Sequence, residues 1–380
     1  MRRRHWVIAT LAVAGWTVAV LAASSLPAQT AEPLSRDQIW TACTERLVQR
    51  PSDAWLQGCV AAMAPDPTPS ATPAPSTVPS RPPASTPPAS TTPAGTSAPP
   101  PTTTSSPTPP AGAWPNPSNT GVPAGWTPTA TRSNDLRITA SGTVVQDLRL
   151  INGADIIVDA DDVIIRRVEL LGGRITNRPG TTCRKRLLIE QSTLRRPAGT
   201  VTDADQEGRI EVGGYTADRV HLDGVTEGFR VGGQPSCSTT TITNTFVRIQ
   251  APDVCRDWHG DGVQGYGGGP LVVRNVVIDF QERGGCGGTA PFFYPSGSHQ
   301  GNTGPVTIDR LVVRGGGYSF RNGHAGRITN LHIVDGSWGY GPLNVKCSVV
   351  SPWQASLSRV DAAWIPTAIR ALPCNTEDGS

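Results

Sequence analysis

The sequence predicts an all-β protein built as a right-handed parallel β-helix of roughly nine coils, and three observations predict it. A short apolar-x-x-apolar pattern recurs at Val145–Leu148, Ile165–Val168, Ile189–Ser192, Leu222–Val225, Ile242–Thr245, Val273–Val276, Ile308–Leu311, Ile328–Leu331 and Leu357–Val360. Its starts are 20, 24, 33, 20, 31, 35, 20 and 29 residues apart, so 20 residues reads as a minimum coil to which insertions are added. Each repeat is rich in Val, Ile, Thr and Asn, is broken by glycine, and holds no long amphipathic helical pattern. One coil cannot bury its own apolar side, whereas stacked coils form a parallel sheet on each face of a solenoid. A β-sandwich is the alternative, but its strands would not hold one motif at a 20-residue floor.

The segments before the repeats are of other kinds. Residues 1–31 carry Arg2, Arg3 and Arg4, an apolar run from Trp6 to Ala23 and then small residues, the pattern of a signal peptide or an uncleaved signal anchor. Residues 32–64 read as a small helical hairpin, with a capping box at Ser35-x-x-Gln38 and a staple between Cys43 and Cys59. Residues 65–113 are almost wholly Pro, Thr, Ser and Ala, a linker that cannot bury apolar surface. The repeats occupy residues 114–380. The three leader arginines account for the whole formal charge of +3, which leaves no electrostatic case for nucleic acid as a partner. Eight cysteines without a Cys-x-x-Cys pair fit disulfides in an exported chain. The expected location is therefore secreted, or on the cell surface if the leader is kept as a membrane anchor, and a monomer is the expected state.

Within each coil a second short strand is visible: Arg209–Val212, Phe229–Val231, Val263–Tyr266, Pro291–Tyr294, Tyr318–Arg321 and Leu343–Val345. If Ile210, Val212, Phe229, Val231, Val263, Phe320, Leu343 and Val345 point inward, alternation turns Glu211, Arg230, Gln264, Phe293, Arg321 and Asn344 outward. Stacking then aligns these six in a column, a surface shaped for a linear polymer. Insertions at about 195–207, 250–258 and 281–289 all fall between first and second strands, while the repeat at Leu222 has only a short turn there. Long loops on either side of a short one predict a notch beside Arg230. Cys255 and Cys286 lie in adjacent long loops and are the favoured pair; Cys347 with Cys374 would lock the end of the solenoid. That leaves Cys183 and Cys237, which this register sets two coils apart.

The densest chemistry runs from Asp257 to Gly268, Asp-Trp-His-Gly-Asp-Gly-Val-Gln-Gly-Tyr-Gly-Gly. In extended chain Asp257, His259 and Asp261 share one face. The Asn119–Gly125 opening, the glycine-broken Val/Ile coils and His259-x-Asp261-Gly-Val-Gln264 resemble secreted bacterial β-helix proteins of the pectate-lyase-like superfamily, over residues 115–374. That resemblance implies the β-helix fold and a polysaccharide partner; members are mostly lyases, hydrolases, esterases and epimerases, with some non-catalytic proteins.

Three chemistries are expected to compete for this region. A lyase on an acidic polysaccharide needs a group against the substrate carboxylate and a base beside it. Arg230, Gln264, Arg321 and Lys346 can neutralise, and His259, Tyr266, Tyr294 or Lys346 can accept the proton. A hydrolase needs two carboxyls across the bond, with Asp257, Asp261 and Glu211 as candidates; the polygalacturonase pattern of paired aspartates and Arg-x-Lys is absent. A divalent ion, Ca2+ among them, is the third reading, on Asp257, His259 and Asp261. Trp258, Tyr266 and Tyr294 are candidate ring-stacking residues along the groove, with Phe293, Trp338 and Tyr340 beside them, while Phe292 and Phe320 read as core. Asp223 and Glu227 read as solvated, and His324 as a turn residue. The leading expectation is a polysaccharide lyase or related hydrolase with His259, Asp261, Arg230 and Lys346 in catalysis and Gln264, Glu211, Trp258, Tyr266, Tyr294 and Arg321 holding substrate. A non-catalytic carbohydrate-binding surface protein is the alternative.

Overall fold

The computed structural model describes residues 112–177, 183–203, 208–232, 237–256, 258–297 and 300–379. The leader, the Cys43–Cys59 hairpin and nearly all of the linker lie outside them, as does Asp257. Among the described residues the chain is all-β, with no α-helix. Its strands form two long sheets, one of thirteen strands and one of nine, and the chain alternates between them coil by coil. Every pairing is parallel except the last, where Pro366–Ala371 runs antiparallel on Val350–Val360 and closes the first sheet. This is an arrangement consistent with a parallel β-solenoid, and the nine-stranded sheet holds one strand for each expected coil.

A single backbone feature sets the repeat. In eight coils the third residue of the motif stands in the left-handed region: Asp147, Arg167, Gln191, Arg219, Asn244, Asn275, Arg310 and Asn330, with φ between 46° and 61°. The chain bends there, and strand pairing resumes beyond it on the same neighbours, as Val145 to Ile165 before the bend and Leu148 to Val168 after it. Side chains link these bends, Asn275 Nδ2 donating to Asn244 Oδ1 at 2.9 Å and Arg310 Nε to Asn275 Oδ1 at 3.3 Å. The polar members of the motif have a backbone task at the same place. Ser192 Oγ accepts the Val168 N–H and Thr245 Oγ1 accepts the Val220 N–H, both at 3.2 Å, while donating to carbonyls two residues back. Such side-chain bonds satisfy amides that a bend would otherwise strand.

Two copies of the motif sit later than the true repeat, by five residues at Leu222 and by four at Leu357. Ala217, not Leu222, pairs with Ile189 and Ile242, and Ile328 pairs with Trp353, while Leu357 pairs with Ile333. Each first strand continues past its bend, so it offers a second apolar pair to a reader of sequence, and Leu222–Val225 is that second pair, set against Leu194 and Val247. The step from Ala217 to Ile242 is 25 residues, so one of the three 20-residue intervals disappears.

The interior is a stack of Val, Ile and Leu from both sheets, joined by Phe229, Phe292, Phe320, Tyr215 and Tyr294, all fully buried. Phe292 and Phe320 stack at 4.7 Å, in keeping with their core reading. A second apolar cluster, Phe246, Val277 and Val312, lies on the first sheet and is roofed by Trp114 and Trp364. The segment bearing Trp114 is a strap over the bends. Ala113 O accepts from Asn275, Gly121 N–H donates to Arg219 O, and Trp126 Nε1 donates to Asp147 Oδ1.

The three long insertions are where expected, but they do not leave a notch. The loops around 200 and 253 reach each other across the short turn Thr226–Gly228. Asp203 bridges to Val254, Arg196 pairs with Asp253, and Thr202 N–H donates to Asp253 Oδ2 at 2.9 Å. Arg283 then ties the third loop to Pro252 O and Asp253 O. Among the described residues the three expected cysteine pairs stand at disulfide distance, with Cα separations of 5.3 Å for Cys183–Cys237 and 5.6 Å for Cys255–Cys286 and Cys347–Cys374. Loops close the two-coil gap between Cys183 and Cys237, and the three pairs are compatible with an extracellular protein.

The bend residue generates a stability prediction. Asn275→Val puts a β-branched side chain at φ 53° and removes both its ladder bonds, so denaturation should show a loss of about 2 kcal/mol. Asn275→Gly, which tolerates that φ, should lose less; equal losses would show that the left-handed bend is not the constraint.

Candidate functional site

The second sheet carries the column that alternation implies. Arg230 pairs with Gln264, Gln264 with Phe293, Phe293 with Arg321 and Arg321 with Asn344 in continuous parallel register. Phe229 pairs with Ile210, which brings Glu211 to the same line. With strands about 4.8 Å apart, Arg230 and Arg321 stand about 14 Å apart along it. The column covers itself: Arg230 Nε donates to Gln264 Oε1 at 3.0 Å, and its guanidinium lies 5.5 Å from the Tyr266 ring. Arg321 lies 4.7 Å from the Phe293 ring and 5.7 Å from that of Tyr318. Gln264, Phe293, Asn344 and Glu211 are consequently buried, while Tyr266 keeps half of its surface exposed.

Beside Arg321 opens a cavity of about 400 Å3, floored by the glycine-rich turn Gly285–Thr289 behind the Cys255–Cys286 pair. Its walls are His259, Arg256, Arg321, Trp258, Tyr318 and Tyr340, and none of the described residues lining it is a carboxylate. His259 and Arg256 are exposed, Tyr340 is 82% exposed, and Arg321 and Tyr318 are partly covered. Burial lowers the Arg321 pKa, and the charges of Asp261, Asp378 and Tyr318 act the other way. Arg256 also pairs with Asp203 at 3.3 Å. Cations beside Tyr318 and the exposed Tyr340 are a setting for an anion carried on a ring-shaped ligand.

His259 and Asp261 are not brought together on one exposed face. Asp261 is fully buried, its Oδ1 accepting the Ala290 N–H at 3.0 Å and its own N–H donating to Glu227 Oε2 at 2.9 Å. Burial raises its pKa well above the carboxylate range, against the lowering effects of the Ala290 N–H, Arg321, Arg230 and Gln264. Glu227, expected in solvent, is 1% exposed. The reason is the loop bridge, which roofs the short turn that would otherwise have left Glu227 wet. Asp223 is half-buried in a charged cluster with Arg248 and His221.

Other expected residues divide in the same way. Glu211 is 2% exposed and faces Arg174 Nη1 at 3.5 Å, which makes it an internal ion-pair partner. Tyr294 is core, its hydroxyl donating to Gly269 O. Trp258 packs flat on Phe280 at 5.5 Å and donates to Thr226 O, so only its edge reaches the cavity. Lys346 is exposed but stands at the next rung's end, bridged to Glu377 and outside the cavity wall. His324 Nε2–H donates to Pro295 O at 3.1 Å, as a turn residue would. Arg256, Tyr318 and Asp378 were missed, and Tyr340 was noted only among general stacking aromatics; all four sit outside the His259–Tyr266 stretch, where no motif marks them. Among the described residues no three His, Cys, Asp or Glu side chains gather to hold a metal, and Asp257 lies outside the described residues.

Comparison with protein-family models, with curated proteins and with solved structures finds no match in any of the three.

Asp261 generates a pH prediction whose sign follows from its raised folded pKa. The stability that Asp261 contributes is full below the unfolded pKa near 3.9 and is lost as pH rises toward the folded value. Asp261→Asn keeps an acceptor for Ala290 and cannot ionise. Between about pH 5 and about pH 8, denaturation should show the wild type losing more stability than the variant; parallel curves would contradict a buried, proton-holding Asp261.

Proposed function

We propose that this protein is a secreted, right-handed parallel β-helix that binds an acidic polysaccharide along the Arg230–Arg321 column and cleaves it by β-elimination. The observation that supports this reading is the composition of the cavity: Arg321, Arg256, His259, Tyr318 and the exposed Tyr340 in one wall, with no carboxylate among the described residues that line it. A uronic acid brings a carboxylate for the guanidinium groups and a sugar ring for Tyr318 and Tyr340. Pairing the carboxylate with Arg321 stabilises the negative charge that develops when the neighbouring carbon loses its proton. His259 takes that proton, the electron pair forms a carbon–carbon double bond, and the glycosidic oxygen leaves with a proton from water. A hydrolase is less well supported, because Asp261 and Glu211 are both buried and engaged. The same reading agrees with the resemblance to the pectate-lyase-like superfamily.

A non-catalytic binding protein is the second reading, favoured by the burial of Asp261 and Gln264, which leaves His259 the one histidine or carboxylate among the described residues of the cavity wall. The two separate on a panel of pectic, alginate-type and glycosaminoglycan polymers. An enzyme gives unsaturated ends absorbing in the ultraviolet. His259→Ala should cut that rate about 100-fold with binding kept, and Arg321→Ala should weaken binding about tenfold. Retention without product supports the binder, and neither retention nor product on any polymer overturns both readings.

A further inference from the structure

The far end of the column is not bare. Asn344, the rung after Arg321, is held by the segment that follows Cys374: its Nδ2 donates to Asp378 Oδ2 at 3.3 Å, and its Oδ1 accepts the Gly379 N–H. Gly379 O in turn accepts from Ser296 N–H at 3.0 Å. The segment is fastened upstream as an added strand would be. Thr376 Oγ1 accepts the Val345 N–H and donates to Val345 O, Thr376 O accepts the Cys347 N–H at 3.2 Å, Glu377 bridges to Lys346, and Cys374 pairs with Cys347. Gly379 is buried against Gly323 and Asn322, while Asp378 stays exposed. These contacts hold an acidic side chain on the column one rung from the guanidinium that lines the cavity, and Asp378 is one of the negative charges that Arg321 feels. Asp378 thus stands on Asn344, the rung paired with Arg321, and is not among the residues that line the cavity.

We propose that the segment Thr376–Gly379 is a built-in occupant of the binding column, with the Asp378 carboxylate standing where a carboxylate of a bound acidic sugar chain would sit. The proposal rests on the reading of this column as an acidic-polysaccharide site and deepens it. An acidic chain that extends past Arg321 replaces Asp378 like for like, and gains the Arg321 and Asn344 contacts only by displacing it. A neutral chain has nothing to offer Arg321 in exchange, so Asp378 discriminates against it as well as competing with the acidic one. The disulfide and the Thr376 bonds keep the segment close, so the competition is intramolecular and persists at any protein concentration.

The test compares the full wild-type chain with Asp378→Asn, which keeps the amide-sized side chain and leaves Cys374 and Thr376 in place. Calorimetric titration uses oligogalacturonate, oligomannuronate and a glycosaminoglycan oligosaccharide, with a neutral galacto-oligosaccharide as control. Removing the competing charge should tighten binding of an acidic oligomer about threefold, the scale of an exposed ion pair, while the neutral control does not tighten. In a second measurement, saturating acidic oligomer should speed amide exchange at Gly379 in the wild type as the segment lifts. Equal affinity of both forms, or unchanged Gly379 exchange on a bound complex, overturns the built-in occupant and leaves the column reading standing. Absence of binding to both forms overturns the two together.

Discussion

One residue per coil, held in the left-handed conformation between two strand segments, is the constraint on which the rest of this structure depends. The bend fixes where each first strand turns, and eight such bends stacked in line from Asp147 to Asn330 keep every coil in step with its neighbours. Because side chains alternate with a period of two, a slip of one residue would exchange inside for outside along a whole rung. Polar side chains at the bends tie neighbours to each other and to the strap that carries Trp114 and Trp126. Asn, Asp and Arg at these places therefore serve the backbone, which is why so polar a line can run along an apolar solenoid.

Arginine recurs on both sheets, held by carboxylates and by aromatic rings. On the first, arginine is answered by carboxylate: Glu169 takes Arg149 and Arg195, and the fully buried Asp279 takes Arg248 and Arg314, the last at 2.5 Å. Removing either buried acid would leave guanidinium groups facing one another, so that ladder is structural. On the second sheet Arg137 and Arg174 are answered by Asp159, Asp155 and Glu211 in the same way, while Arg230 and Arg321 lie on the rings of Tyr266 and Phe293. Aromatic support keeps a guanidinium flat and positioned. The gathering of Arg321, Arg256 and His259 beside Tyr318 and Tyr340 in one cavity is what favours the proposed ligand face on the second sheet.

Much of this was legible in the sequence, and the parts that were not share a cause. The second strands, the inward set from Ile210 to Val345 and the outward column from Glu211 to Asn344 follow from period-two alternation, a local property that survives folding. Of the cysteine pairs, Cys255–Cys286 followed from adjacent coils, whereas Cys183–Cys237 was what remained and stood two coils apart in the expected register. Leu222 and Leu357 misled because a strand that passes through a bend repeats its apolar pair, and only pairing partners tell the two halves apart. What sequence could not give was the path of the insertions. The loops around 200 and 253 join at Asp203 and Val254, Glu227 and Asp261 are buried together, and Arg256 and Tyr340 meet at one cavity from positions far apart in the chain. Asp261 sat in the densest chemical stretch of the chain, yet its burial moves it beneath the site.

The claim that carries the functional reading is that Arg230 and Arg321 belong to one carboxylate-gripping face. Arginine side-chain N–H resonances, followed by NMR while an acidic oligosaccharide is titrated in, report on it most directly. Shifts at Arg230, Arg321 and Arg256, with Arg149, Arg248 and Arg314 of the first sheet unmoved, are the expected result. Binding that moves the first-sheet arginines and leaves Arg321 still would contradict it.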